Sequence, residues 1–154
     1  MIIRQKKYNI KYDYAHRVNA VIDYIDSNLD TKLDLNTLAD ISSFSPFHFH
    51  RIFKIVTGET PNILIVRKRI EKIASILLTT TDYSFSDLAF TYGFSNGNAL
   101  SRAFKKFYGI SPTNYKEHFS KIGVKVFTYE EYICDIDNIK ELKNGDINRN
   151  QRTS

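Results

Sequence analysis

A single cysteine, Cys134, stands in 154 residues. That count excludes an intramolecular disulfide and a zinc site built from several cysteines, and makes a reducing cytoplasm the expected compartment. Tryptophan is absent, so the 14% aromatic share that would furnish a core consists of Tyr and Phe. There is no run of about 18 apolar residues to span a bilayer, and Met1 to Tyr14 is too polar for a signal peptide. No membrane association is expected. No glycine-rich phosphate loop, nucleophile elbow or pair of carboxylates stands out, so neither an enzyme nor a cofactor is expected. His48 and His50, two positions apart, would point about 200° away from each other on a helix and cannot hold one metal together.

What is present suits a single domain or two small ones rigidly connected. The hydrophobic share of 42% is ordinary for a globular chain. Lys and Arg outnumber Asp and Glu by 22 to 17, for a formal charge of +5. The excess is uneven: residues 126 to 154 hold four basic and six acidic side chains, so the basic surface belongs to the first four-fifths. That is compatible with a polyanionic partner without requiring one.

A basic arm over residues 1–13 (Arg4, Lys6, Lys7, Lys11) precedes a helix predicted from Tyr14 to Asn28 by Val18, Val21, Ile22 and Ile25. A short helix is predicted from Leu35 to Ile41, with Asn36 as its cap, followed by a turn over Ser42 to Phe44. Ser45 before Pro46 is the order of an N-cap and a first-turn proline, and Phe49, Ile52, Phe53 and Val56 then line one stripe up to Gly58. Pro61 opens a longer helix to about Leu78, with Ile63, Val66, Ile70, Ile73 and Leu77 on one face. The earlier pattern then returns: a short helix around Ser86 to Tyr92, a turn at Gly93 and Phe94, and a helix from about Asn96 to Tyr108, closed by Gly109.

The two stretches align at Leu38 and Leu88, Ala39 and Ala89, Phe44 and Phe94, and Ser45 and Ser95. After one extra residue in the second copy they align again at Arg51 and Arg102, Phe53 and Phe104, Lys54 and Lys105, Gly58 and Gly109, and Pro61 and Pro112. A duplicated unit of short helix, tight turn and longer helix is the helix-turn-helix arrangement. At about 100° per residue, the face opposite the first apolar stripe holds Phe47, His50, Arg51 and Lys54. Opposite Leu100, Ala103, Phe104 and Phe107 lie Asn98, Ser101, Arg102 and Lys105. Arg can bond guanine bidentately, Asn can do the same for adenine, and Phe47 can meet a thymine methyl. Lys54, Lys105 and Lys106 would then serve phosphates. Each face alone reads equally as the solvated side of a surface helix. A solvated face, however, has no reason to keep Arg and Lys twice at one offset from one turn. The connecting helix, about 27 Å long at about 1.5 Å per residue, would hold the two outward helices near one DNA turn, about 34 Å, apart.

YGFSNGNALSRAFKKFYGISPTNYK (Tyr92 to Lys116) and LADISSFSPFHFHRIFKIVTGETP (Leu38 to Pro61) resemble the two units of the AraC/XylS family DNA-binding domain, and the resemblance runs from about Tyr24 to His118. It implies an all-α fold of about seven helices, two helix-turn-helix units joined by a long helix, over residues 14–118. It also implies a cytoplasmic, nucleoid-associated transcription regulator, more often an activator than a repressor, acting on double-stranded DNA with RNA polymerase as a partner. Carried over position by position, base-facing residues fall on Phe47, His50 and Arg51, and on Gly97, Asn98, Ala99 and Arg102. Ser45, Lys54, Ser95, Lys105, Lys106 and Lys116 fall where phosphates are met. Gly97 and Ala99 depart from a base-reading chemistry, having no side chain to donate or accept a hydrogen bond, and Lys116 stands where the family usually has Arg.

Residues 119–154 are expected to form a short irregular tail, possible remnant of an effector domain and too short for a complete sensor, so no small-molecule effector is assigned. Within it VKVFTYEEYICDI is apolar enough to pack, while KNGDINRNQRTS reads as disordered. Cys134 lacks the neighbours of the methyl-accepting cysteine that some DNA repair proteins pair with this domain. A second reading, from the weak surface at Gly97 and Ala99, is a helical protein-interaction module or anti-regulator that has kept the fold and lost operator reading.

Overall fold

Polar side chains placed just ahead of apolar periods decide where most of the helices begin. A computed structural model describes the backbone of residues 2–121 and the side chains of residues 9–121. Within them the chain forms seven helices and no strand: α1 (Ile2–Ser27), α2 (Leu35–Ser42), α3 (Pro46–Thr57), α4 (Pro61–Thr79), α5 (Phe85–Thr91), α6 (Gly97–Tyr108) and α7 (Pro112–Ser120). From α2 onward each first turn is capped by the side chain before it: Asp34, Ser45, Thr60, Ser84, Asn96 and Ser111 accept from a backbone N–H three residues on. Such a cap satisfies a donor that the helix itself leaves unpaired. Proline, which has no N–H to lose there, fills the first turn of α3, α4 and α7. Gly58 and Gly109 end α3 and α6 in the left-handed conformation, with φ of 82° and 74°.

Two cores form. Val18, Val21 and Ile25 of α1 pack with Leu38, Ala39, Phe49, Ile52, Phe53, Leu64 and Ile65 in the first. The second gathers Ile70, Ile73, Ala74 and Leu77 of α4 with Leu88, Ala89, Tyr92, Leu100, Phe104, Tyr108, Tyr115 and Phe119. Leu29 packs against both. Helix α4 therefore serves one core with its first turns and the other with the rest. This division corrects the single stripe expected of it: Ile63 is 49% exposed and Val66 only half-buried, while Leu64 and Ile65 are buried. Val56 likewise leaves the α3 stripe, at 41% exposed.

Two other expectations change. Helix α1 begins at Ile2 rather than Tyr14, because nothing in the basic segment, neither proline nor glycine, interrupts it. The cap of α2 is Asp34, not Asn36; it accepts from both the backbone N–H and the hydroxyl of Thr37, which hold its carboxyl below the ordinary carboxylate range. The expectations for VKVFTYEEYICDI, Cys134 and KNGDINRNQRTS fall on residues 122–154, outside the described residues.

Identical residue types with opposite burial make a test of this packing. Phe53 is fully buried and Phe47 is 82% exposed on the same helix. Phe53→Ala should cost about 3–5 kcal/mol of stability in equilibrium urea unfolding, whereas Phe47→Ala should stay within about 0.5 kcal/mol of the parent.

Candidate nucleic-acid interface

Each of α3 and α6 is anchored by its buried stripe, and each turns the opposite face outward. Phe49, Ile52 and Phe53 are buried on α3, and Leu100, Phe104 and Tyr108 on α6. Counted from the N-caps Ser45 and Asn96, the two helices run in register: Phe47 matches Asn98, His50 matches Ser101, Arg51 matches Arg102, and Lys54 matches Lys105. The extra residue of the second copy is thereby absorbed in the turn ahead of α6. Ser95 lies before the cap, and Asn96 does there what Ser45 does in the first unit, accepting from the Ala99 N–H at 2.8 Å.

Burial follows this register. Phe47, His50, Arg51 and Lys54 are exposed, as are Asn98, Arg102, Lys105 and Lys106. Ser101 is half-buried beside them, the counterpart of His50 and a further candidate that the motif comparison passed over. Gly97 and Ala99 are half-buried and match Pro46 and His48. A Cβ at Gly97 would stand 3.3 Å from Phe85, so its missing side chain makes room for α5. His48 is turned away from the outward face and packs edge-on against Tyr14 and Phe44. Of the second unit's outward residues, Asn98 and Arg102 are exposed and Ser101 half-buried, and all three carry hydrogen-bonding side chains.

The basic side chains divide by what they touch. Five arginines have described side chains. Arg17 pairs with Asp13 and lies over the Phe44 ring, Arg67 pairs with Glu59 and Glu71, and Arg69 donates to two backbone carbonyls. Among the described residues nothing offers Arg51 or Arg102 an ion pair or hydrogen bond. These two occupy the same position in the repeat. An exposed guanidinium keeps its planar fork of donors for an external acceptor, which on DNA is a guanine edge or a phosphate.

Lys116 differs from the other expected phosphate contacts. It is half-buried, donates to the Tyr83 hydroxyl at 2.8 Å and lies 4.7 Å from the centre of that ring. Its ammonium is partly committed inside the molecule, whereas Lys54, Lys105 and Lys106 are exposed. Among the described residues no cluster of three or more His, Cys, Asp or Glu side chains is placed to hold a metal ion, and no helix is long and apolar enough to cross a membrane.

Comparison with known proteins agrees with this geometry. A family model described as a helix-turn-helix domain matches residues 38–118. YbfP of Bacillus subtilis, an uncharacterized HTH-type transcriptional regulator, is 34% identical over 112 residues, covering 73% of this chain and 38% of YbfP. AdaA of the same species, a bifunctional transcriptional activator and DNA repair enzyme, is 33% identical over 114 residues, 74% of this chain and 54% of AdaA. The chain thus spans about half or less of the length of these curated relatives. Among solved structures, the DNA-binding domain of AdpA, a global transcriptional factor in complex with a target DNA, superposes with a TM-score of 0.61 at 28% identity, over 66% of this chain and 91% of that one.

Removing Lys54 should weaken binding to all duplexes alike and reduce the slope of log affinity against log salt by about one. Lys116→Ala, with an ammonium already engaged by Tyr83, should change that slope by less. Titrations of one duplex at several salt concentrations check both.

Proposed function

The chain belongs to the AraC-type helix-turn-helix family of DNA-binding domains, and from that membership we propose that it is a sequence-specific transcription regulator whose helices α3 and α6 enter successive major grooves of one duplex. The observation that carries this reading is the pair Arg51 and Arg102: the two arginines without an internal partner among the described residues stand at one position of a duplicated unit. Bases would be read by Phe47, His50 and Arg51 from α3 and by Asn98, Ser101 and Arg102 from α6. Ser45, Ser95, Lys54, Lys105 and Lys106 would position the backbone. Helix α4, 19 residues long, spans about 28 Å at about 1.5 Å per residue, short of one helical turn of DNA by no more than the width of a side chain or two.

The same proposal includes activation, with RNA polymerase as protein partner and no chemical turnover. Activation alone is supported by the likeness to AdaA, named as a bifunctional transcriptional activator and DNA repair enzyme; the lack of turnover is proposed from the sequence, in which no phosphate loop, nucleophile elbow or carboxylate pair stands out.

Selection of bound duplexes from a random pool, followed by sequencing, is the test. Enrichment of two short blocks one helical turn apart is the expected result. No enrichment would contradict sequence reading and favour a protein-interaction module. On the selected site Arg51→Ala and Arg102→Ala should each cost about 1–3 kcal/mol and relax the preference at one block only. Equal binding by both variants and the parent would overturn the assignment.

A further inference from the structure

Arg69 is the one arginine of the described residues whose guanidinium is held by backbone carbonyls rather than by a carboxylate. Its Nε donates to the carbonyl of Leu29 at 2.9 Å and its Nη2 to that of Thr31 at 2.8 Å. Both acceptors lie in the loop after α1, which belongs to the first unit. On its other side Nη1 lies 2.5 Å from where a Cβ of residue 93 would be, and residue 93 is glycine, in the turn of the second unit. One side chain therefore touches the backbone of both units, at the point on α4 where the first core gives way to the second.

The two turns differ in the residue that takes the left-handed conformation. Gly93 has φ of 77°, and the position that matches it in the first unit is Ser43, with φ of 57°. A left-handed residue with a side chain is thus tolerated in the first turn, where Arg17 donates to the neighbouring Ser42 carbonyl at 3.5 Å and lies over the Phe44 ring. In the second turn the space a Cβ would need is filled by a guanidinium, so glycine answers to Arg69 as well as to the backbone. Lys68 pairs with Asp26 of α1 at 2.7 Å alongside, and Leu29 packs into both cores.

We infer that the Arg69–Gly93 contact is the joint that fixes α6 relative to α3 and so sets the spacing of the two base blocks the protein accepts. The inference rests on the DNA-reading role of those helices. Arginine suits the position because a planar fork can bond two carbonyls and still present a flat edge to Gly93, which a lysine ammonium cannot do. Arg69 touches neither outward face, so it acts on specificity by positioning.

The test uses the full chain and duplexes carrying the two selected blocks at the preferred spacing or shifted by one or two base pairs, beside duplexes with one block alone. Spin labels at Asp40→Cys and Asp87→Cys, with Cys134→Ser removing the native thiol, report the distance between α2 and α5 without DNA. Arg69→Ala should bind the preferred spacing about tenfold more weakly, flatten the dependence on spacing and leave single-block binding within about twofold. Its label distances should broaden, and Arg69→Lys should not restore the parent behaviour. Gly93→Ala, which keeps Arg69 but places a methyl against Nη1, should flatten the dependence in the same way. An Arg69→Ala variant that keeps both the sharp spacing preference and the narrow label distances would overturn the joint, as would a loss of the same size on single-block and two-block duplexes. A parent that binds no block at all, with label distances that still broaden in Arg69→Ala, would instead count against the DNA-reading role.

Discussion

The guanidinium of Arg69, bonded to the carbonyls of Leu29 and Thr31 and set against Gly93, ties together two small cores that share the helix α4. Each core holds its own outward-facing helix, α3 or α6, through a few fully buried rings, Phe49 and Phe53 in one and Phe104 in the other. Neither core by itself relates the two helices to each other. That relation comes from α4, which lends Leu64 and Ile65 to the first core and Ile70, Ile73, Ala74 and Leu77 to the second. Burial lowers the basicity of Arg69 because no carboxylate compensates its charge. The two carbonyls accept from it in a medium where water cannot compete fully, which is where a charge-assisted hydrogen bond is strongest.

A division of labour among the cations follows. Arg67 faces Glu59 and Glu71, Lys68 faces Asp26, Arg17 faces Asp13, and Arg69 faces two backbone carbonyls. Such exposed or half-exposed pairs each add little to stability, and their effect is to fix geometry and to remove positive charge from surfaces away from the outward faces. Arg51, Lys54, Arg102, Lys105 and Lys106 are exposed and engage no carboxylate among the described residues. Composition shows a basic excess of five as a diffuse average, whereas the structure sets five exposed cations on the outward faces of α3 and α6.

Much of this was legible in the residues. The prolines at 46 and 61, the caps at Ser45 and the glycines at 58 and 109 mark helix ends through local backbone chemistry, and the structure places them as expected. The outward faces were legible because the repeat shows the same offsets twice. Three things were not. The stripe of α4 shifts partway along, and a period taken over the whole helix averages two cores into one, which is why Ile63 was expected inside. Whether the extra residue of the second copy precedes or follows the cap depends on the backbone at Asn96, which a comparison of letters does not contain. The commitment of Lys116 to Tyr83 joins residues 33 positions apart, beyond any local pattern. Arg69 belongs with these, since its partners lie about 40 residues before it and 24 after it in the chain.

On the proposed function, one chain occupies two major grooves of a duplex at once. Methylation of guanine N7 blocks the atom that an arginine fork would use, and does so in the major groove alone. An interference footprint on the selected site, taken at a concentration where one chain is bound per duplex, reads out both grooves. Two groups of interfering guanines one helical turn apart are expected, the first lost in Arg51→Ala and the second in Arg102→Ala. A single group, or a second group that appears only when a second chain binds, would contradict occupation of both grooves by one chain.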